Sequence, residues 1–261
     1  MADWALILGS SSGFGEAAAR AFADDGYDVF GVHLDRKSTL DHVEEIVGAI
    51  RSKGRQVQFF NVNAADPVKR GEVMENISGR LREKDTKVRV LLHSLAFGTL
   101  KPYVGKEGQL GVQPKELEMT LDVMAHSLVY WTQELLRHGL MGEGGRIFAM
   151  TSTGDQHAWP SYGPVSAAKA ALEAHVRQLA LELAPQRIAV NAIRAGVTDT
   201  PALRKIPGHE EMIEAARRRN PHKRLTTPED VAQALVVLAH PEAHWITGNV
   251  IGVDGGEEIA G

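Results

Sequence analysis

Short β-prone apolar runs recur along this chain, and longer amphipathic stretches separate them. The runs are Trp4–Leu8, Asp28–His33, Gln56–Asn61, Val88–His93, Arg146–Met150, Arg187–Ile193 and Asn249–Val253. Helical patterns lie between them, near Phe14–Asp25, Thr39–Lys53, Pro67–Glu83, Pro114–His138, Val165–Leu183 and Pro228–His240. Several runs, such as Ala5–Leu8 and Val88–Leu92, are almost continuously apolar. A strand that is apolar on both faces is buried on both, and helices do the burying. The alternation therefore predicts an α/β fold with a doubly wound, seven-stranded parallel sheet and helices on both faces. Asp66-Pro67 and Thr226-Thr227-Pro228-Glu229-Asp230 read as helix starts, with a capping side chain just before a proline. No linker, repeat or shift in composition interrupts residues 1–261, which read as a single domain. That length buries a core without a disulfide or metal staple.

Composition narrows the chemistry. There is no cysteine, so disulfides, thiol nucleophiles and Cys-based metal sites are excluded. A net charge of -4 gives no global attraction to nucleic acid or to an anionic membrane. The first residues, MADWALILGSSSGFGE, lack a basic start, and Gly9 breaks the apolar run too early for a signal peptide or a spanning helix. The expectation is a cytoplasmic protein with no nucleic-acid partner, no membrane partner and no metal.

The first run feeds a glycine loop, Gly9-Ser10-Ser11-Ser12-Gly13-Phe14-Gly15, and then an alanine-rich helix. Glycines in a strand-to-helix turn let the backbone fold tightly and let a pyrophosphate approach the helix N-terminus, where free N–H groups favour an anion. Gly9, Ser11, Ser12, Gly13, Phe14 and Gly15 are the expected phosphate cradle of a Rossmann-type dinucleotide site. Asp35 follows Gly15 by twenty residues, where a carboxylate can accept the adenosine ribose hydroxyls of NAD(H). Arg36 beside it suits the 2′-phosphate of NADP(H) instead; Lys37 reads better as a solvated charge. Asp35 repels a phosphate and no basic residue occurs within Gly9–Gly15, so the balance favours NAD(H) over NADP(H). Two stretches exceed what a connection needs, Gly98–Pro114 and Thr198–Thr227. Both follow a strand end, where ligands sit in such sheets; about 198–227 is the expected substrate-binding segment.

Further motifs follow in order: Thr151-Ser152-Thr153-Gly154, Ser161-Tyr162, Ser166-Ala167-Ala168-Lys169-Ala170-Ala171-Leu172, Asn191-Ala192-Ile193-Arg194-Ala195-Gly196-Val197-Thr198-Asp199-Thr200 and Ile251-Gly252-Val253-Asp254-Gly255-Gly256. With the glycine loop they resemble the short-chain dehydrogenase/reductase family from about Ala5 to Gly256. Ketone-reducing members carry Tyr-x3-Lys, and that tyrosine position holds Val165. Here Tyr162 precedes Lys169 by six intervening residues, which resembles the enoyl-acyl-carrier-protein reductase branch. His93-Ser94-Leu95-Ala96-Phe97 and Ala170-Ala171-Leu172-Glu173-Ala174 are similar to that branch as well, and Met124 stands where ketoreductases carry a relay asparagine. A second tyrosine of the main enoyl reductase type is replaced by Ser152. That variant, with Asn61-Val62 and Pro201-Ala202-Leu203, resembles the ketoreductase-like enoyl reductases, some of which prefer NADPH.

The resemblance implies reduction of the carbon–carbon double bond of a 2-enoyl thioester in fatty-acid synthesis, with Tyr162, Lys169 and Ser152 as catalytic residues. Hydride reaches the β-carbon, negative charge grows on the thioester oxygen, and donors placed at that oxygen stabilise it. Tyr162 is the expected donor and Lys169 the holder of the nicotinamide ribose. Ser152 adds a hydrogen bond or serves as a turn residue. The cofactor is further expected against Asn61, Val62, Ser94, Leu95, Ala96, Gly196, Val197, Thr198 and Thr200. Asn61 reads as an adenine partner through its amide or as a strand-end turn, and Thr200 as a carboxamide partner or a cap. His93 reads as a backbone contributor rather than a base, and His157 and Trp159 as acyl-pocket lining or loop cover. Arg204-Lys205, Arg217-Arg218-Arg219 and Lys223-Arg224 suit an acidic acyl carrier protein or a CoA phosphate, or are a solvated helix face. The family also implies a homotetramer, through the helices carrying Met124 and Tyr162–Leu183 and the last strand. The alternatives are a relative acting on a carbonyl or dienoyl-CoA substrate, and a non-catalytic dinucleotide-binding regulator.

Overall fold

The apolar runs assemble as β1 (Trp4–Leu8), β2 (Asp28–His33), β3 (Val57–Asn61), β4 (Val88–His93), β5 (Arg146–Thr151), β6 (Ala189–Ala195) and β7 (Val250–Val253). In the computed structural model, which describes residues 2–82, 86–106, 108 and 110–260, they form one sheet in the order β3-β2-β1-β4-β5-β6-β7. Every neighbouring pair is parallel. The helices are α1 (Gly13–Asp24), α2 (Leu40–Ser52), α3 (Pro67–Arg82), α4 (Pro114–Leu121), α5 (Ser127–Arg137), α6 (Gly163–Leu183), α7 (His209–Arg219) and α8 (Pro228–Ala239). Glu83, the expected end of the third helix, lies outside the described residues, as do Glu107 and Gln109 of the 98–114 loop.

Strand periodicity sorts side chains between two cores. Trp4, Leu6 and Leu8 of β1 join one cluster with residues of α3, α5 and α6. Ala5 and Ile7 join the other, with residues of α1, α2 and α8. Trp4 stacks on Phe30 with ring centroids 4.0 Å apart, and Trp131 sends its indole N–H to Ala64 O at 2.9 Å. Each such fully buried large side chain contributes about 1.5–3 kcal/mol.

Helix starts follow the sequence signals. Asp66 Oδ1 accepts the N–H groups of Val68 and Lys69 at 2.9 and 3.1 Å. Thr227 Oγ1 accepts from Asp230 N while Asp230 Oδ2 accepts from Thr227 N at 2.8 Å, a reciprocal cap. Two boundaries differ from expectation. The sixth strand begins at Ala189, because a turn at Ala184–Gln186 ends with Arg187 in the left-handed region at φ 54°. The Pro114–His138 helix contains a π turn at Asp122–His126 between α4 and α5, and Val123, Met124 and Ala125 of that turn are buried. The chain leaves β1 towards β2 and β3, then returns to pair β4 on the other side of β1. Strand order reverses there, and the crevice at the carboxyl ends of β1 and β4 is the natural place for a ligand.

Candidate active site

The crevice is built by backbone packed too closely for side chains. Gly9 N–H donates to Val32 O at 2.8 Å, and Ser94 N–H donates to Leu8 O at 2.9 Å, which draws the ends of β1, β2 and β4 together. A Cβ on Gly9 would lie 2.2 Å from Ser94 O, and one on Gly15 would lie 1.9 Å from Gly9 O. Neither distance admits a carbon, so both positions require glycine. Ser12 precedes α1, but its side chain caps none of the helix N–H groups. Opposite the loop stands Thr200, whose Cγ2 would be 3.4 Å from a Cβ on Gly13.

At the end of β2, the Asp35 carboxylate accepts from Thr39 Oγ1 at 2.7 Å and pairs with the His33 ring at 3.0 Å. Burial pushes its pKa up, but hydrogen bonds from Ser11, Thr39 and His33 outweigh burial and hold it below the usual range. Arg36 is exposed beside it. Asn61 exchanges two hydrogen bonds with the backbone of Asp35, donating to its carbonyl and accepting from its N–H, both at 3.0 Å. The amide expected to meet adenine is engaged in bracing Asp35, which is the strand-end reading of that residue. Val62 N–H continues the brace to His33 O at 2.8 Å.

The segment after β6 is fixed from the C-terminus. Val197 N–H donates to Glu257 Oε2 at 3.1 Å, and Thr198 Oγ1 donates to Gly196 O at 3.0 Å. Thr200 Oγ1 accepts from Leu203 N at 3.2 Å, so it does act as a cap and keeps its own proton to donate.

Tyr162 is the residue immediately before α6, with Ser161 preceding it in the left-handed region at φ 62°. Its ring lies over Gly154, where a Cβ would meet Cε1 at 2.3 Å. Its hydroxyl is 3.4 Å from Ser152 Oγ, which also accepts from Gly154 N–H at 3.3 Å. Ser152 is therefore both a turn residue and the partner of Tyr162. Burial pushes the Tyr162 pKa up; the Ser152 hydrogen bond opposes this and the Asp155 charge adds to it. Two helical turns on, Lys169 is only 6% exposed, and Nζ donates to Met150 O at 2.7 Å. One of its three protons is used there. Burial pulls its pKa down to about 8, with Glu173 pulling the other way.

Val165 and Met124, standing where ketone reducers have tyrosine and asparagine, are 6% and 2% exposed and pack together with Val123 and Ala168. That position is closed by methyl groups and sulfur rather than opened to a polar chain. His93 is wholly buried, its Nε2 2.8 Å from Ser127 Oγ. The Ser127 proton goes to Val123 O at 2.7 Å, so His93 donates and its proton sits on Nε2. Burial, and then the Lys169 charge, pull its pKa down to about 3, so the ring stays neutral and is no base.

A family model described as enoyl-(acyl carrier protein) reductase matches residues 9–258. The chain belongs to that family. It is an oxidoreductase of the short-chain dehydrogenase/reductase type. Over 190 residues it is 32% identical to enoyl-(acyl-carrier-protein) reductase (NADH) FabI of Aquifex aeolicus strain VF5, covering 73% of this chain and 69% of that one. Over 253 residues it is 29% identical to 3-oxoacyl-(acyl-carrier-protein) reductase FabG of Thermotoga maritima, covering 96% of each. The crystal structure of the Aquifex aeolicus VF5 enoyl-(acyl-carrier-protein) reductase (NADH) matches with a TM-score of 0.83 at 28% identity, covering 99% of this chain and 97% of that one.

Within this short-chain reductase frame, three features escape a reading of the sequence. The first is Tyr103, on the 98–114 loop. Its ring lies on Gly163, where a Cβ would be 2.7 Å from Cε2 and Cζ, so a half-exposed aromatic ring stands beside Tyr162. The second is buried Glu257, which holds Val197 and takes Arg219 at 3.0 Å. The third is buried Glu173, whose Oε1 accepts from Thr151 Oγ1 at 2.9 Å. Trp159 ties the loop before Tyr162 to the segment after β6, donating from Nε1 to Pro207 O at 2.9 Å. His157 stands 3.9 Å from Glu258 and is exposed. The basic cluster is mostly neutralised: Arg204 pairs with Asp199, Arg217 with Glu214, Arg219 with Glu257 and Arg224 with Asp230. Those pairs favour the charged-surface reading over a carrier dock. Among the described residues no helix is long and apolar enough to cross a membrane, and no cluster of His, Asp or Glu would hold a metal.

Proposed function

We propose that this oxidoreductase reduces the carbon–carbon double bond of a 2-enoyl thioester with NAD(P)H. One observation carries the reading. The buried lysine's hydroxyl partner position one turn back is filled by Val165 inside an apolar cluster, and the phenol is instead supplied by Tyr162 from the start of α6. The FabI likeness supports the same reading, and the FabG likeness, together with Ser152, is what favours 3-oxoacyl reduction as the competing one.

The cradle supports a dinucleotide on its own geometry. Gly9 and Gly15 leave room that a Cβ would fill, α1 opens without a side-chain cap, and Asp35 holds a charged carboxylate at the end of β2. The loop residues Ser11, Ser12, Gly13 and Phe14 would line the pyrophosphate. Asp35 would take the ribose hydroxyls, favouring NADH. Val62 and the backbone of Ser94, Leu95 and Ala96 would flank the adenosine and the nicotinamide ribose. Gly196, Val197, Thr198 and Thr200 would face the carboxamide. When bound, the nicotinamide supplies the hydride. Lys169 would hold the ribose with its positive charge, having two protons left beyond the one given to Met150 O. Tyr162, kept protonated by burial, donates to the thioester oxygen as it becomes negative, and Ser152 orients that hydroxyl. Phe97, Leu100 and Tyr103 line the approach for the acyl chain. Residues 198–227 close over it, linked through Trp159. A homotetramer through α4–α6 and β7 remains part of the proposal.

The deciding experiment offers a 2-enoyl thioester and a 3-oxoacyl thioester, each on acyl carrier protein and on CoA, with NADH and with NADPH. The 2-enoyl substrate is expected to be turned over faster, with NADH preferred. Faster 3-oxoacyl turnover overturns the proposal in favour of ketoreduction, and cofactor binding without turnover of either leaves a regulator.

A further inference from the structure

Hydrogen bonds from His33, Thr39 and Asn61 converge on Asp35 just past the end of β2. Asp35 Oδ2 accepts from His33 Nδ1 at 3.0 Å, and Oδ1 accepts from Thr39 Oγ1 at 2.7 Å. An ionised carboxylate only accepts, so the His33 proton sits on Nδ1. Asn61 takes the Asp35 backbone at both ends, accepting from its N–H and donating to its carbonyl, each at 3.0 Å. His33 and Asn61 are register partners on β2 and β3, so both are anchored in the sheet. The His33 side chain is 3% exposed, and its ring lies 6.0 Å from that of Phe59, which leaves the donor little room to swing aside.

Thr39 is turned to Asp35 in a way that its place in the chain does not require. It stands immediately before α2, where a threonine ordinarily caps helix N–H groups, yet its side chain caps none. Its hydroxyl is also 3.0 Å from Arg36 O, and the single proton goes to the nearer, charged oxygen of Asp35. Thr39 N–H closes the same turn on Arg36 O at 3.0 Å, and the Arg36 side chain is left exposed. A carboxylate has about four lone-pair sites. His33 and Thr39 each use one, which leaves acceptor capacity for a ribose diol. What the carboxylate lacks is freedom to turn.

We propose that His33, Thr39 and Asn61 set the choice of dinucleotide by clamping Asp35, so that its carboxylate accepts a free ribose diol and cannot turn away from a 2′-phosphate. Asp35 then discriminates by its fixed position and not by its charge alone. A carboxylate released from the clamp yields its place, and the exposed Arg36 is free to take the phosphate. His33, Thr39 and Asn61 are positioning residues, acting through Asp35. The clamp rests on the proposed reading of the crevice as a dinucleotide site with Asp35 at the adenosine ribose.

The test is fluorescence titration of the full chain with NADH and with NADPH, and it needs no substrate. Thr39→Val and His33→Phe each remove one donor and nearly keep the size of the side chain. Each is expected to weaken NADH binding and to raise NADPH affinity relative to NADH by about three- to tenfold, the worth of one hydrogen bond. Asn61→Ala, which releases the Asp35 backbone, is expected to move the ratio in the same direction. Rescue separates positioning from damage to the fold. Thr39→Ser returns a hydroxyl and His33→Asn places an amide N–H where Nδ1 stands, so both are expected to restore the parent's ratio. In an Asp35→Ala background, Thr39→Val is expected to shift the ratio no further, because it acts only through Asp35. Equal loss of both dinucleotides in Thr39→Val overturns the clamp, as does a further shift in the Asp35→Ala background. A parent that binds NADPH more tightly than NADH overturns it as well. If His33→Phe does not fold, Thr39→Val carries the comparison, since Thr39 is exposed and caps nothing. Should the parent bind NADH and turn over no 2-enoyl thioester, the proposed reduction fails while the titrations still decide the clamp.

Discussion

Tyr162 and Lys169 separate two kinds of work at the scale of single residues. In the proposed reduction, Tyr162→Phe removes the donor at the thioester oxygen and leaves the ring over Gly154, so kcat is expected to fall by about 10²–10³-fold, the usual loss for one such donor. Dinucleotide affinity, read by fluorescence titration, is expected to stay unchanged. Lys169→Ala removes the proposed ribose contact as well, so affinity and turnover are expected to fall together. The Lys169 amine is pulled down to about 8 by burial. It is charged below that pH and neutral above it, so dinucleotide affinity is expected to be level in mild acid and to decline as pH rises through 8. A level affinity from pH 6 to 9 would separate Lys169 from the cofactor. Both candidates are picked out in the sequence by their spacing alone. The double use of Ser152 is not, since a turn acceptor and a hydroxyl partner of tyrosine are the same residue type. Asn61 shows the converse: an amide suited to adenine is engaged at both ends by Asp35.

At the level of elements, the strands and most helices are readable because each carries its own period. β1, β2 and β5 are buried at every position, and α1, α2 and α8 each turn an apolar stripe inwards. What escapes is whatever lacks such a stripe. In α7 only Ala216 is buried, so helical pieces are readable within 198–227 but the bounds of the helix are not. The π turn at Asp122–His126 has no distinguishing residue type, and Met124 within it packs in one cluster with Val165. Contacts between loops and helices are equally silent, and they yield predictions. Gly15→Ala would put a carbon 1.9 Å from Gly9 O, so the β1–α1 turn must open. A loss of about 1–3 kcal/mol in denaturant unfolding is expected, as for other overpacked sites, with dinucleotide binding lost. Gly163→Ala would displace the Tyr103 ring without altering Tyr162 itself. Its KM is expected to rise for long acyl chains and to change little for short ones. An equal rise for both would mean that Tyr103 does not line the acyl path.

At the scale of the whole molecule, the proposed binding crevice lies at the most buried part of the sheet. β1, β4 and β5 lie in the middle of the order, almost wholly buried, with helices on both faces. β3 and β7 are the edges, and β7 has no fully buried residue. Local opening follows burial and pairing, so hydrogen exchange is expected to be slowest in β1, β4 and β5 and fastest in β7. The cofactor loop is different: it hangs on the stable strands at Gly9 and Ser94, yet α1 begins without a side-chain cap. Its N–H groups should therefore exchange readily in the free protein despite the rigid base. A dinucleotide held at a hundred times its Kd stabilises the folded state by about 2.7 kcal/mol. That gain is expected as a raised Tm in the parent. It should be accompanied by slowed exchange at residues 9–16, at 93–97 and at 196–200, three segments that are distant in sequence but meet at the strand ends. Exchange in the edge strand β7 should slow little beyond the global gain, because its link to the crevice is through a carbonyl, Val253 O, which accepts from Gly196 N–H at 3.1 Å. Slowing confined to residues 9–16 would mean that the glycine loop binds a phosphate group alone. Joint slowing of all three segments would mean that the reversal of strand order between β1 and β4 holds the entire dinucleotide.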